Sequence, residues 1–192
     1  MASDPRKQLL ARLAHYQSDY PAEKAFKDRF IKLIQNHDNC FERSLLSGHI
    51  TGSAWIVDES FGFAFMTHHA KLNRWLQPGG HADGDENVAR VALKEALEET
   101  GMEGLRLFSE EIFDLDIHVI PERKGIPEHE HFDIRYLIKT DKSTPFQISE
   151  ESNDLAWLPL DKVAEQTDAN NSIQRMVEKT RQITGKMSAR TY

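Results

Sequence analysis

Glu95, Glu98 and Glu99 fall at i, i+3 and i+4 in a stretch of helix-forming residues, so they share one helix face. Three carboxylates stacked this way repel one another. Ala89, Leu93, Ala96 and Leu97 make a second stripe, which reads as the core-facing one. A crowded carboxylate face is either a solvated surface or a seat for a hard divalent cation that prefers oxygen ligands, such as Mg²⁺ or Mn²⁺. Gly79 and Gly80 precede the segment and read as a tight turn. Without side chains, this turn lets backbone approach closely, and the Gly79 carbonyl can join the carboxylates as a ligand.

The wider spacing resembles the Nudix box, G-x5-E-x7-R-E-U-x-E-E-x-G-U, where U is aliphatic. Gly80 opens the pattern here, Glu86 follows, and Lys94-Glu95 comes next. Ala96, Glu98-Glu99, Gly101 and Met102 complete it. Lys94 stands where the family usually has arginine, whose planar fork orients a box glutamate. Lysine keeps the charge and loses the fork, and Glu86 is its expected partner.

The resemblance implies a Mg²⁺-dependent hydrolase that cleaves a diphosphate linkage in a nucleoside diphosphate derivative. Metal-activated water would attack phosphorus. The implied metal ligands are Glu95, Glu98, Glu99 and the Gly79 carbonyl, and the implied catalytic set is Glu98, Glu95, Lys94 and Glu86. Family members place the general base in the box or in a downstream loop, where Glu150 and Glu151, or Glu128 and Glu130, are the acids available. Two other readings stay beside this one. One is a ligand sensor that keeps the fold without turnover. The other is an isomerase resembling the isopentenyl diphosphate isomerases, which need a catalytic cysteine; Cys40 precedes the first strand and is out of place for that.

A second constellation lies downstream. Asp114, Asp116 and His118 alternate with Leu115, Ile117 and Val119. His129, His131, Asp133 and Arg135 alternate with Phe132, Ile134 and Tyr136. An antiparallel hairpin turning at Lys124-Gly125 sets His118 opposite His131, Asp116 opposite Asp133, and Asp114 opposite Arg135. Opposed like charges need an offset, which a substrate or a metal supplies. His118, His129, His131, Asp133 and Arg135 are therefore candidate substrate contacts. His49, Thr51 and Ser53 share a face of an earlier strand, and His68, His69 and Arg74 precede the glycines, as lesser candidates. Trp55, Trp75 and Trp157 offer rings for a base or for the core.

The elements that position these residues follow from periodicity. Asp4-Pro5 opens one amphipathic helix, and Pro21 a second that carries Phe26, Phe30, Leu33 and Ile34. Runs at 50–57 and 61–66 read as a hairpin, 75–77 as a short strand, 86–100 as the acidic helix, 112–120 and 131–138 as strands, and 155–158 as the last strand. A helix from Ser172 to Ile183 ends at Gly185. The expected fold is α/β of the α+β kind: a Nudix-like mixed sheet sandwiched between helices, with two extra N-terminal helices. It forms one domain over 1–192, with an appendage at 1–40, a core at 45–165 and a C-terminal helix at 166–192.

The chain has 192 residues and a formal net charge of −7. That balance argues against binding DNA, whose partners are basic. No apolar run is long enough to span a membrane. The lone cysteine and the absence of a signal core point to a reduced, cytoplasmic protein. The Nudix resemblance adds that its partner is a small phosphorylated molecule, a nucleotide above all.

Overall fold

The computed structural model describes residues 4–149, 152–167 and 170–189. Its elements run α1 (Pro5–His15), α2 (Pro21–Asn36), β1 (Gly48–Asp58), β2 (Phe63–His69), β3 (Arg74–Leu76) and β4 (Gly79–His81). Then follow α3 (Val88–Thr100), β5 (Arg106–Leu107), β6 (Asp114–Ile120), β7 (His129–Thr140), β8 (Ser152–Pro159), α4 (Val163–Gln166) and α5 (Asn171–Ala189). The fold class is α+β, with two helices ahead of the first strand, as expected. Contacts group the chain into two compact units. One is Met1–Ala54, Gly79–Glu95 and Ser109–Tyr136, and the other is Trp55–Pro78, Ala96–Phe108 and Leu137–Tyr192.

In the first unit, the Asp4 carboxylate accepts from the Arg6 and Lys7 amides and Pro5 starts α1 without an amide to satisfy. α1 buries Leu9 and Leu13, and α2 buries Phe30, Leu33 and Ile34. α2 also buries Glu23, which accepts hydrogen bonds from the Tyr16 and Ser18 hydroxyls and, at 2.9 Å, from the Leu115 amide of β6. A buried carboxylate is tolerated when donors surround it in this way.

Residues 79–81 are a strand rather than the expected turn. β4 pairs antiparallel with β1, setting Ser53 beside Gly79, Gly52 beside Gly80 and Thr51 beside His81. The glycines are required by close approach: a Cβ on Gly79 would sit 2.1 Å from Ser53 Oγ. β6 and β7 pair in the expected register, with Asp114, Asp116 and His118 opposite Arg135, Asp133 and His131. Lys124 and Gly125 both have positive φ, 52° and 79°, as a two-residue hairpin turn demands. β1 and β7 are neighbours in the sheet order.

In the second unit, β2 pairs antiparallel with the end of β1, with β3 and with β8, while β5 pairs with the end of β7. The Asp58 carboxylate closes the first hairpin by accepting from the amides of Ser60, Gly62 and Phe63. Trp55 is fully buried and its Nε1 donates to Thr180 of α5 at 2.9 Å. α5 runs through Gly185 to Ala189, past the expected stop. Gly185 has no positive φ, so it caps nothing.

α3 supplies residues to both units. Its buried stripe passes through Val88, Val91, Ala92 and Ala96. Leu97, expected in the core, is 46% exposed, because the stripe lies about one residue around the helix from the expected one. Glu99 consequently lies on the buried edge at 8% exposure, Glu95 is half-buried, and Glu98 is exposed. No helix among the described residues is long and apolar enough to cross a membrane.

Candidate functional site

The approach to α3 is tied down by its own side chains. Asn87 caps the helix, its Oδ1 accepting from the Arg90 amide at 3.1 Å. Asp85 takes both prongs of the Arg90 guanidinium at 2.7 Å, and Arg43 forks onto Asp83 at 2.6 Å. A Cβ on Gly80 would fall 2.3 Å from Glu95 Oε2, so this glycine leaves room for the Glu95 carboxylate. α3 is continuous through Glu95, Glu98 and Glu99, which keeps the three at the expected helical spacing. An all-oxygen, all-anionic donor set suits a hard divalent cation.

The charge partners differ from the expected ones. Lys94 Nζ lies 3.6 Å from its neighbour Glu95, and the guanidinium that takes Glu86 belongs to Arg6 of α1. Arg6 Nε donates to Glu86 Oε1 at 2.9 Å, and its Nη2 donates to the Asp38 carbonyl. Its guanidinium carbon sits 5.2 Å from the Phe41 ring centre. Lysine has no fork with which to hold a carboxylate in one orientation; arginine has. Eighty residues separate Arg6 from Glu86 in the chain, and no sequence signal connects them.

On β7, Arg135 is 3% exposed and its nitrogens are directed at carboxylates. Nε donates to Asp133 at 2.7 Å, Nη1 to Asp114 at 3.2 Å and Nη2 to Asp116 at 3.2 Å. The other Asp133 oxygen accepts from Thr51 Oγ1 at 3.0 Å and Ser53 Oγ at 2.8 Å. Burial alone would push the Arg135 pKa down, but the three carboxylates outweigh it and raise the pKa above its ordinary value. The offset that the opposed Asp116 and Asp133 required is thus internal, contributed by the residue two along from Asp133.

One step along the same face the side chains are imidazoles. His131 lies within 5.5 Å, centre to centre, of His49, His81, His118 and His129. Two of these, His49 and His81, join through the pairing of β1 with β4. Burial, then the neighbouring imidazoles, holds the His131 pKa down to about 2. Burial, then Arg43, takes His81 to about 4, and burial lowers His49 as well. At neutral pH these three rings are uncharged.

Of the remaining candidates, Glu128 is exposed and Glu130 pairs with Arg29. Glu150 and Glu151 lie outside the described residues. His68 packs on Trp75 at 5.1 Å in the second unit, where His69 and Arg74 are paired across β2 and β3. Trp157 packs edge-on to Phe65. Cys40 is fully buried, and desolvation, partly opposed by Arg6, pushes its thiol up to about 11. A thiol in that setting is no nucleophile.

A family model described as the NUDIX domain matches residues 49–179. A bis(5'-nucleosyl)-tetraphosphatase [asymmetrical] of Rattus norvegicus is 30% identical over 95 residues, 49% of this chain. The chain spans 61% of the length of that relative. A probable DHNTP pyrophosphohydrolase of Lactococcus lactis subsp. cremoris is 30% identical over 137 residues, covering 69% of this chain and 76% of the relative. Among solved structures, an Ap4A hydrolase of C. elegans in binary complex superposes with a TM-score of 0.55 at 19% identity, covering 73% of this chain and 98% of that one. At that identity the likeness concerns the fold.

Proposed function

Because this chain belongs to the Nudix family, we propose that it hydrolyses a phosphoanhydride bond in a nucleoside diphosphate derivative with the help of a divalent cation, Mg²⁺ first. The observation that carries the reading is the carboxylate face of α3, complete at Glu95, Glu98 and Glu99 and supported by the close approach of Gly80. These three would hold the cation, with the Gly79 carbonyl beside them. The cation would neutralise the diphosphate and make a water nucleophilic at neutral pH.

The chain's own residues do the rest. Glu98, the most exposed of the three, would accept a proton from the attacking water, with Glu150 and Glu151 as the downstream alternatives. Arg6 fixes Glu86, and Lys94 lies against Glu95, so each of these box glutamates has a cation beside it. The relatives' names suggest a dinucleoside polyphosphate or a nucleotide-like triphosphate as substrate.

The test is phosphate or nucleotide release across a panel of dinucleoside polyphosphates, triphosphates, nucleotide sugars and ADP-ribose, with and without Mg²⁺. Turnover should need Mg²⁺ and fall at least about 100-fold in Glu98→Gln, as loss of a general base does. Arg6→Ala should cost roughly 10–100-fold, the range for losing a partner that orients a ligand or its neighbour. Tight nucleotide binding without turnover would favour the sensor reading.

A further inference from the structure

We propose that His49, His129 and His131 form a binding site for a transition-metal ion of the Zn²⁺ class, chemically distinct from the carboxylate face of α3. Among the described residues, these are the three whose ligand atoms all lie within 4.8 Å of one another. Tetrahedral nitrogen coordination at about 2.0–2.1 Å places ligand atoms roughly 3.4 Å apart, so small side-chain rotations close the site.

Three further observations point to a ligand. First, His49 is 3% exposed, and its Nε2 is buried without a hydrogen-bond partner, as is the Nε2 of His131. Buried polar atoms are almost always satisfied, and two orphaned nitrogens in one cluster mark a missing occupant. Second, the far side of two rings is already engaged. His49 Nδ1 faces the Leu45 carbonyl at 3.3 Å, and His129 Nδ1 faces the Pro127 carbonyl at 2.8 Å. A proton on each Nδ1 leaves Nε2 as the lone pair, the arrangement that orients metal-binding histidines. Third, His81 lies 4.8 Å from His131 and 5.2 Å from His49, centre to centre, close enough to supply a fourth nitrogen or to flank an open position.

The donor set also selects the ion. Imidazole nitrogens suit Zn²⁺, Co²⁺ and their neighbours, whereas Mg²⁺ keeps to oxygen. Coordination would tie the start of β1 to the start of β7, two neighbouring strands that this unit holds by their first halves.

Co²⁺ titration of the metal-free full chain tests the site, because four-coordinate Co²⁺ has intense visible ligand-field bands. One equivalent should generate those bands, and one equivalent of Zn²⁺ should bleach them. His129→Gln and His131→Gln should each abolish the bands and weaken affinity by more than the roughly 10–100-fold typical of losing an outer partner. A Glu98→Gln/Glu99→Gln double variant should keep them, which separates this site from the box. His129 is half-exposed, so His129→Gln remains informative even if His131→Gln does not fold. Absence of four-coordinate bands in the native chain, or bands lost only in the glutamate variant, overturns the proposal.

Discussion

Two polar clusters share one face of β7 and are finished differently. Around Arg135, each guanidinium nitrogen meets a carboxylate, and Asp133 is closed off further by Thr51 and Ser53. Around His131, two buried Nε2 atoms have nothing to bond. The first cluster is satisfied from within; the second is incomplete. A saturated network holds strands in place, because a further ligand would have to break bonds already made. An unsaturated one leaves lone pairs for something not contributed by the chain. The contrast supports a structural role for Asp133 and Arg135 and the ligand-binding role proposed for His49, His129 and His131, although the alternation of the sequence treats the β7 residues alike.

The difference should appear first in stability. Arg135→Ala leaves the buried carboxylates of Asp114 and Asp133, and the half-buried one of Asp116, without their cation, and should cost about 3–5 kcal/mol in urea denaturation. A cost near zero would mean that water already reaches the network. Next, Zn²⁺ at about 100 times its dissociation constant should add about 2.7 kcal/mol to the stability of the native chain by linkage, and nothing to His129→Gln. Equal stabilisation of both would erase the distinction between the clusters. Thr51→Val removes one donor to Asp133 while the Arg135 and Ser53 bonds remain, and should cost about 1 kcal/mol in the same assay. Smallest of all, His131→Phe in metal-free protein should change stability by less than about 1 kcal/mol, because the ring is replaced by an apolar one and an unsatisfied nitrogen is removed. A large loss there would show that the imidazole cluster holds the strands by itself.

Local chemistry made part of this legible. The β6–β7 register follows from alternation on both sides of a turn whose second residue is glycine, so every cross-strand pair could be read directly. The box glutamates declared themselves by spacing. What stayed hidden depended on distant pairings. Gly79-Gly80 looks like a turn until β1 is known to lie beside it, and only that pairing brings His81 toward His49. Leu97 looks apolar enough for the core, but the packed stripe centres on Ala92 and Ala96 instead. Opposed Asp116 and Asp133 correctly signalled a missing positive charge; the sequence could not say that Arg135 would supply it rather than a bound molecule. Gly185 carries the residue type of a helix stop without the positive φ that makes one.

The bond from Arg6 to Glu86 has a practical consequence for how the molecule is handled. The family match begins at residue 49, and trimming the chain to that boundary keeps every position of the box while removing the guanidinium that secures its first glutamate. Such a fragment would carry an intact signature but a Glu86 without its guanidinium, and under the proposed function its rate would understate that of the chain it came from.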